Sequence, residues 1–171
     1  TGANGGIGKA TASELARRGA TVIMVARDRE RGEQAQREVI AAAGRESVHL
    51  LLADLSVQSS IRSLAGEFQS EFPQLDLLIN NAGVHLPRRI VTPDGLEAMF
   101  ATNHLGYFLL TVLLLESLKA APAARVLNIT APSTVRLDFD DLQGERRFRS
   151  LQAFGATKMA NLLFTFELAK R

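Results

Sequence analysis

Short apolar runs at 21–25, 48–53, 75–79 and 126–129 alternate with longer segments of helical periodicity at 9–18, 29–43, 57–72, 96–119 and 153–170. The runs are apolar throughout instead of alternating with polar residues, the pattern of strands covered by helices on both faces. Strand, crossover helix and strand in repetition make a parallel sheet, so the chain reads as α/β and doubly wound. Gly19 and Gly44 stop the first two helices and Pro73 the third. No linker, repeat or low-complexity stretch interrupts the alternation, and residues 1–171 are expected to form a single domain.

The glycine-rich stretch Thr1-Gly2-Ala3-Asn4-Gly5-Gly6-Ile7-Gly8 opens directly onto the first helix. Such a loop lets the backbone turn tightly and approach a pyrophosphate at a helix N-terminus, which makes the fold Rossmann-type. Glycines also make turns for structural reasons alone, so the loop carries weight only in this context. A central strand is expected to launch such a loop, and nothing precedes Thr1. The chain has no initiator Met and closes inside a helical pattern. It is therefore expected to lack the first strand and the C-terminal part of the fold, and to be poorly stable alone because the neighbouring strands keep unpaired edges.

About 20 residues beyond the loop, where this fold meets the adenosine ribose, the strand ends in Ala26-Arg27. An acidic residue there would bond a ribose 2′-hydroxyl, whereas a guanidinium pairs with a 2′-phosphate. The expected cofactor is NADP(H), preferred over NAD(H). Arg27 also reads as an ordinary surface arginine beside Asp28 and Arg31, and Lys9 either adds positive potential or simply faces solvent.

Other classes of function are disfavoured. A net charge of +2 with interspersed signs offers no basic arm for nucleic acid. There are no cysteines, which removes thiolate chemistry and Cys-based metal sites, and the three histidines are scattered; no metal is expected. The most apolar segment, 105–118, carries Glu116 and is too short to span a bilayer. A cytoplasmic location is the default expectation, compatible with an anchor outside the segment.

Thr1-Gly2, Gly6, Gly8, Asp54 and the run Asn80-Asn81-Ala82-Gly83 resemble, in order and spacing, the motifs of the short-chain dehydrogenase/reductase family across essentially the whole chain. The Asn-Asn-Ala-Gly run behind a buried strand is the most specific of them. Thr102-Asn103-His104-Leu105-Gly106 and Leu142-Gln143-Gly144-Glu145 are similar to the retinol dehydrogenase branch. The resemblance implies an NADP(H)-dependent oxidoreductase acting on an alcohol or carbonyl, in that branch a retinoid or other lipid. It implies cofactor contacts at Gly2, Asn4, Gly6, Ile7, Gly8, Arg27, Asp54, Leu55, Asn81, Ala82, Gly83 and Lys158. Asp54 would hold the adenine edge or, read structurally, cap the next helix; the Asn pair would stabilise the sheet or form a turn. By analogy, the helices at 105–119 and 153–170 would pair in a homodimer.

The family's catalytic pattern is only half present. Hydride transfer to or from an alcohol carbon leaves a hydroxyl proton to be moved by a group within hydrogen-bond reach. The resemblance assigns a water-anchoring asparagine to Asn103 and a ribose-holding lysine to Lys158. Phe154 stands at the tyrosine position and Ala131 at the serine position, and neither has a proton to give. Ser133, two residues beyond Ala131, is a candidate substitute; Tyr107 and His104 are expected to pack, the former near a subunit contact. The expectation is an oxidoreductase impaired in its chemistry, with a non-catalytic NADP(H)-binding regulatory protein as the alternative.

Overall fold

A computed structural model of the chain describes residues 1–170. The expected domain runs to Arg171, which lies outside the described residues. Strand β1 (Val22–Ala26) pairs in parallel with β2 (Val48–Leu52), Val22 opposite Val48 and Ala26 opposite Leu52. Strand β3 (Leu77–Asn80) pairs in parallel with β4 (Arg125–Asn128), Leu77 opposite Arg125.

Helices α1 (Gly6–Arg17) and α2 (Arg29–Ala43) cover one face of the β1–β2 pair; α3 (Gln58–Glu71) and α5 (Gly106–Leu113) cover the other. Alternate residues of β1 serve the two faces. Val22 and Met24 join Ala12, Ala16, Ala35 and Val39 on the first, while Val25 joins Leu51, Leu64, Phe68, Leu78 and Leu110 on the second. This is the physical reason the strands carry no polar alternation. Asp28 caps α2 by accepting from the Arg31 N–H at 2.9 Å, and Gly44 ends it in the left-handed region at φ 65°.

Strands β1 and β3 do not pair with each other. Between them lies an apolar slot of about 470 Å³, lined by Val22 and Ile23 on one side and Leu77 and Ile79 on the other. Residues 1–3 bridge its end: the Thr1 nitrogen donates to Ile79 O at 2.8 Å and Ala3 N to Val25 O at 3.2 Å.

The helical pattern expected over 96–119 is broken into short helix α4 (Ala98–Phe100), a π-helical turn (Ala101–Leu105), α5, and α6 (Leu115–Lys119). Glu97 starts it: its carboxylate, 2% exposed, accepts from Met99 N at 3.0 Å and Phe100 N at 2.7 Å. The Glu97 N–H in turn donates to Gln143 Oε1 at 2.9 Å, and Arg89 Nε donates to Gln143 O at 2.9 Å. These bonds tie the segment around Gln143 to the body. Helix α7 (Ser150–Leu168) then closes the described chain over the π-helical turn.

Candidate cofactor and catalytic site

Two glycines set how the first loop meets the end of β3. Gly2, at φ +63°, lies so close to the following run that a Cβ would stand 2.8 Å from Ala82 Cα. A Cβ on Gly8 would collide with Gly2 O and lie 2.6 Å from Asn81 Nδ2. Hydrogen bonds zip the same surfaces: Asn81 Nδ2 donates to Thr1 O at 2.9 Å, and the Asn81 and Ala82 N–H groups donate to Thr1 Oγ1 at 3.0 and 3.1 Å. Gly5 and Gly6, by contrast, face open space, with nothing within 4 Å of an added Cβ. Gly5 is the N-cap of α1 and has no side chain to cap it, so the first-turn N–H groups point outward at the positive end of the helix.

Of the expected cofactor residues, Gly2, Asn4, Ile7, Gly8, Arg27, Asp54, Leu55, Asn81, Ala82 and Gly83 line one cleft of about 420 Å³. Gly6 belongs to the loop but not to that lining, and Lys158 sits past its Gly83 end. Arg31, Val84 and Thr102 also line the cleft. Their part was not evident in sequence, although Arg31 lies four residues from Arg27 across the Asp28 cap. An uncapped helix end, an open cradle above it and a guanidinium along the same wall fit a dinucleotide with its pyrophosphate at the loop.

The Arg27 side chain is 71% exposed, with Nη1 at 3.9 Å from Asp54 Oδ2. Asp54 Oδ1 accepts from the Ser56 N–H at 2.9 Å and its hydroxyl at 2.6 Å, closing a tight turn. The N-terminus of α3 is met instead by Asp94, whose carboxylate accepts from Gln58 N at 2.7 Å. Asp54 therefore caps its own turn and keeps one oxygen toward Arg27 and the cleft. Lys9 pairs with Glu38 at 2.6 Å, which neutralises its potential locally.

At the other end of the cleft, Asn103 lies within the π-helical turn, fully buried. Its amide bonds the Val84 backbone in both directions, accepting from N at 2.8 Å and donating to O at 2.9 Å. A Cβ on Gly83 would lie 3.4 Å from Asn103 Oδ1 and 3.8 Å from Lys158 Nζ, so the two expected polar residues meet at this point. Asn161 supports them from α7, donating to Asn103 O at 2.7 Å and meeting His104 Nδ1 at 3.0 Å. Burial lowers the His104 pKa, partly opposed by the Asn161 bond. Tyr107 is completely buried, and its hydroxyl donates to Ala82 O at 2.8 Å. It braces the loop from inside the fold rather than standing at a surface contact, and burial pushes its phenol up.

Phe154 and Lys158 are one helical turn apart on α7, with Nζ 5.5 Å from the ring centroid. Lys158 is 7% exposed and donates to Ile129 O at 3.1 Å. No carboxylate pairs with it among the described residues, and desolvation lowers its pKa. Ala131 is exposed just beyond β4. Thr130 turns toward α7, donating to Lys158 O at 2.8 Å. The Ser133 hydroxyl donates to Gly155 O at 2.9 Å and accepts from Val135 N at 3.2 Å. Its proton is thus held by the helix backbone.

A buried ammonium with no carboxylate partner costs stability. Lys158→Met should therefore raise the thermal midpoint while weakening nicotinamide-nucleotide binding. Calorimetry with and without NADPH checks both; a lowered midpoint with unchanged binding would show Lys158 to be structural.

Known proteins resemble this chain along its whole length. A family model described as short chain dehydrogenase matches residues 1–171. Retinol dehydrogenase 12 of Mus musculus is 50% identical over 173 residues, covering 100% of this chain and 55% of that protein. Retinol dehydrogenase 13 of Homo sapiens is 43% identical over 174 residues, covering 100% of this chain and 53% of that protein. The chain thus spans about half the length of these relatives. Among solved structures, an uncharacterized protein from Mycobacterium paratuberculosis superposes with a TM-score of 0.84 at 43% identity, covering 99% of this chain and 60% of that one. A metagenomic short-chain oxidoreductase in complex with NADP gives 0.79 at 27% identity, covering 99% and 72%.

Proposed function

The chain belongs to the short-chain dehydrogenase family, a family of oxidoreductases that bind a nicotinamide cofactor, and from that premise we propose that it binds NADP(H) in preference to NAD(H) and serves hydride transfer at an alcohol or carbonyl carbon. The relatives named for retinol make a retinoid or similar lipid the favoured substrate class. When bound, the nicotinamide supplies or accepts the hydride. The glycine loop and the α1 N-terminus hold the pyrophosphate, Arg27 grips the 2′-phosphate, Asp54 meets the adenine edge, and Lys158 holds the nicotinamide ribose. By family resemblance, Asn103 anchors a water relay.

Proton transfer is the weak step. Phe154 and Ala131 have no exchangeable side-chain proton, and the Ser133 hydroxyl is committed to Gly155 O. The protein is an oxidoreductase with an intact cofactor cleft and impaired acid/base chemistry. Exposed Phe108, Val112, Leu162, Leu163 and Phe166 on α5 and α7 support a homodimer through those helices. No helix of the described residues is long and apolar enough to cross a membrane.

The observation that carries the reading is the single cleft joining the uncapped glycine loop to Arg27. Fluorescence titration with NADPH and NADH tests it. A charge-assisted pair to the 2′-phosphate contributes about 1.5–3 kcal/mol, and the exposure of Arg27 places the expected preference near the lower end, about tenfold. Arg27→Ala should abolish the preference and leave NADH affinity nearly unchanged. Equal affinities in the wild type would rule out the 2′-phosphate assignment.

A further inference from the structure

An imidazole outside the expected catalytic set stands beside Phe154. His85 follows Gly83 by two residues, is exposed, and stands edge-on to Phe154 with ring centroids 5.4 Å apart and planes at 82°. Its Nε2 lies 2.8 Å from Ser150 Oγ, whose hydroxyl donates to Leu86 O at 2.6 Å. With its own hydrogen committed to that carbonyl, Ser150 Oγ can only accept from the ring, so Nε2 carries the hydrogen and Nδ1 is the exchangeable nitrogen. Ser150, Phe154 and Lys158 are spaced four residues apart on α7 and share one stripe. The helix that presents the phenyl ring thus also orients the imidazole beside it.

We infer that His85 is the general acid and base of this site, standing in for the phenol that Phe154 lacks. The inference rests on the oxidoreductase reading above. In the reducing direction, with hydride delivered to the carbonyl carbon, the Nδ1–H bond of the imidazolium breaks and its proton passes to the carbonyl oxygen. The bonding pair stays on Nδ1, leaving a neutral ring that solvent reprotonates. The sum is carbonyl, NADPH and one proton giving alcohol and NADP⁺; oxidation runs the same steps backward. Ser150 is a positioning residue that fixes the tautomer.

The test uses the full-length protein in two backgrounds, wild type and Phe154→Tyr/Ala131→Ser. In the wild type, His85→Ala should lower kcat by about tenfold or more, a modest share of the range for a positioned acid/base. KM and NADPH affinity should hold, and added imidazole should restore turnover. In the other background, where a phenol moves the proton, the same substitution should have almost no effect. Nitrogen NMR of the cofactor-free protein should show the neutral His85 ring protonated on Nε2, and mixed tautomers in Ser150→Ala. An equal loss in both backgrounds would make His85 structural, and no loss in the wild type, or an Nδ1–H tautomer, would overturn the proposal. Failure to bind NADPH, seen separately by titration, would overturn the oxidoreductase reading as well.

Discussion

Phe154→Tyr combined with Ala131→Ser should raise kcat on an aldehyde or ketone by about 10²- to 10⁴-fold, the range for a positioned acid/base. Phe154 is half-buried at the mouth, one turn before Lys158, whose ammonium lies 5.5 Å from its ring centroid. A hydroxyl added at the ring tip would feel that charge, which favours the phenolate and lowers the tyrosine pKa toward the working range. Ala131 is exposed, so a serine there adds an oxygen without overpacking. Each single change should recover less, because one group moves the proton and the other orients the oxygen that receives it. Steady-state oxidation of NADPH with a panel of retinoid and simpler carbonyls measures the gain. Equal turnover in wild type and the double variant would show that the two positions do not limit the chemistry. If His85 carries the residual reaction, the gain falls toward the lower end of the range.

Gly8→Ala should weaken NADPH binding by roughly 100-fold or more. A Cβ at this buried position would collide with Gly2 O and crowd Asn81 Nδ2, and both belong to the surface that zips the loop to the end of β3. Neither side can retreat without parting Thr1 from Asn81 and Ala82. Overpacking of this kind costs about 1–3 kcal/mol. Loss of two aligned N–H bonds to a phosphate, at about 1.5 kcal/mol each, corresponds to roughly a 100-fold or greater fall in NADPH affinity. Gly66→Ala is the control, since nothing lies within 4 Å of its Cβ position on α3. That change should leave binding intact and stabilise the helix by about 0.8–1 kcal/mol. If Gly8→Ala binds NADPH like the wild type, the loop is not the phosphate site.

Features written locally in the chain are legible in its sequence. The unbroken apolar runs around β1 and β2 reflect burial on both faces, and Met24 and Val25 now point to opposite helix layers. The glycine loop, Arg27 and the Asn-Ala-Gly run converge on one cleft because each ends a strand or opens a helix at the same edge. Long-range contacts were not legible. The π-helical turn at Ala101–Leu105 hides inside an ordinary helical pattern. Its bracing by Asn161, the tie from Glu97 to Gln143, and the bond between His85 and Ser150 join residues 46 to 65 positions apart. Only the fold brings those partners together, and no periodicity announces them. A serine four residues before Phe154 was the one local signal available for the last pair.

Affinity and turnover measured on the same preparations separate cofactor binding from proton transfer most directly. NADPH dissociation constants and kcat should be compared between the wild type and Phe154→Tyr/Ala131→Ser. The expected result is a dissociation constant unchanged within about twofold, a difference under 0.5 kcal/mol, beside a kcat at least about 100-fold higher in the double variant. A wild type that fails to bind NADPH, or a double variant whose affinity rises as much as its turnover, would contradict the division of this site into an intact cofactor cleft and a deficient proton relay.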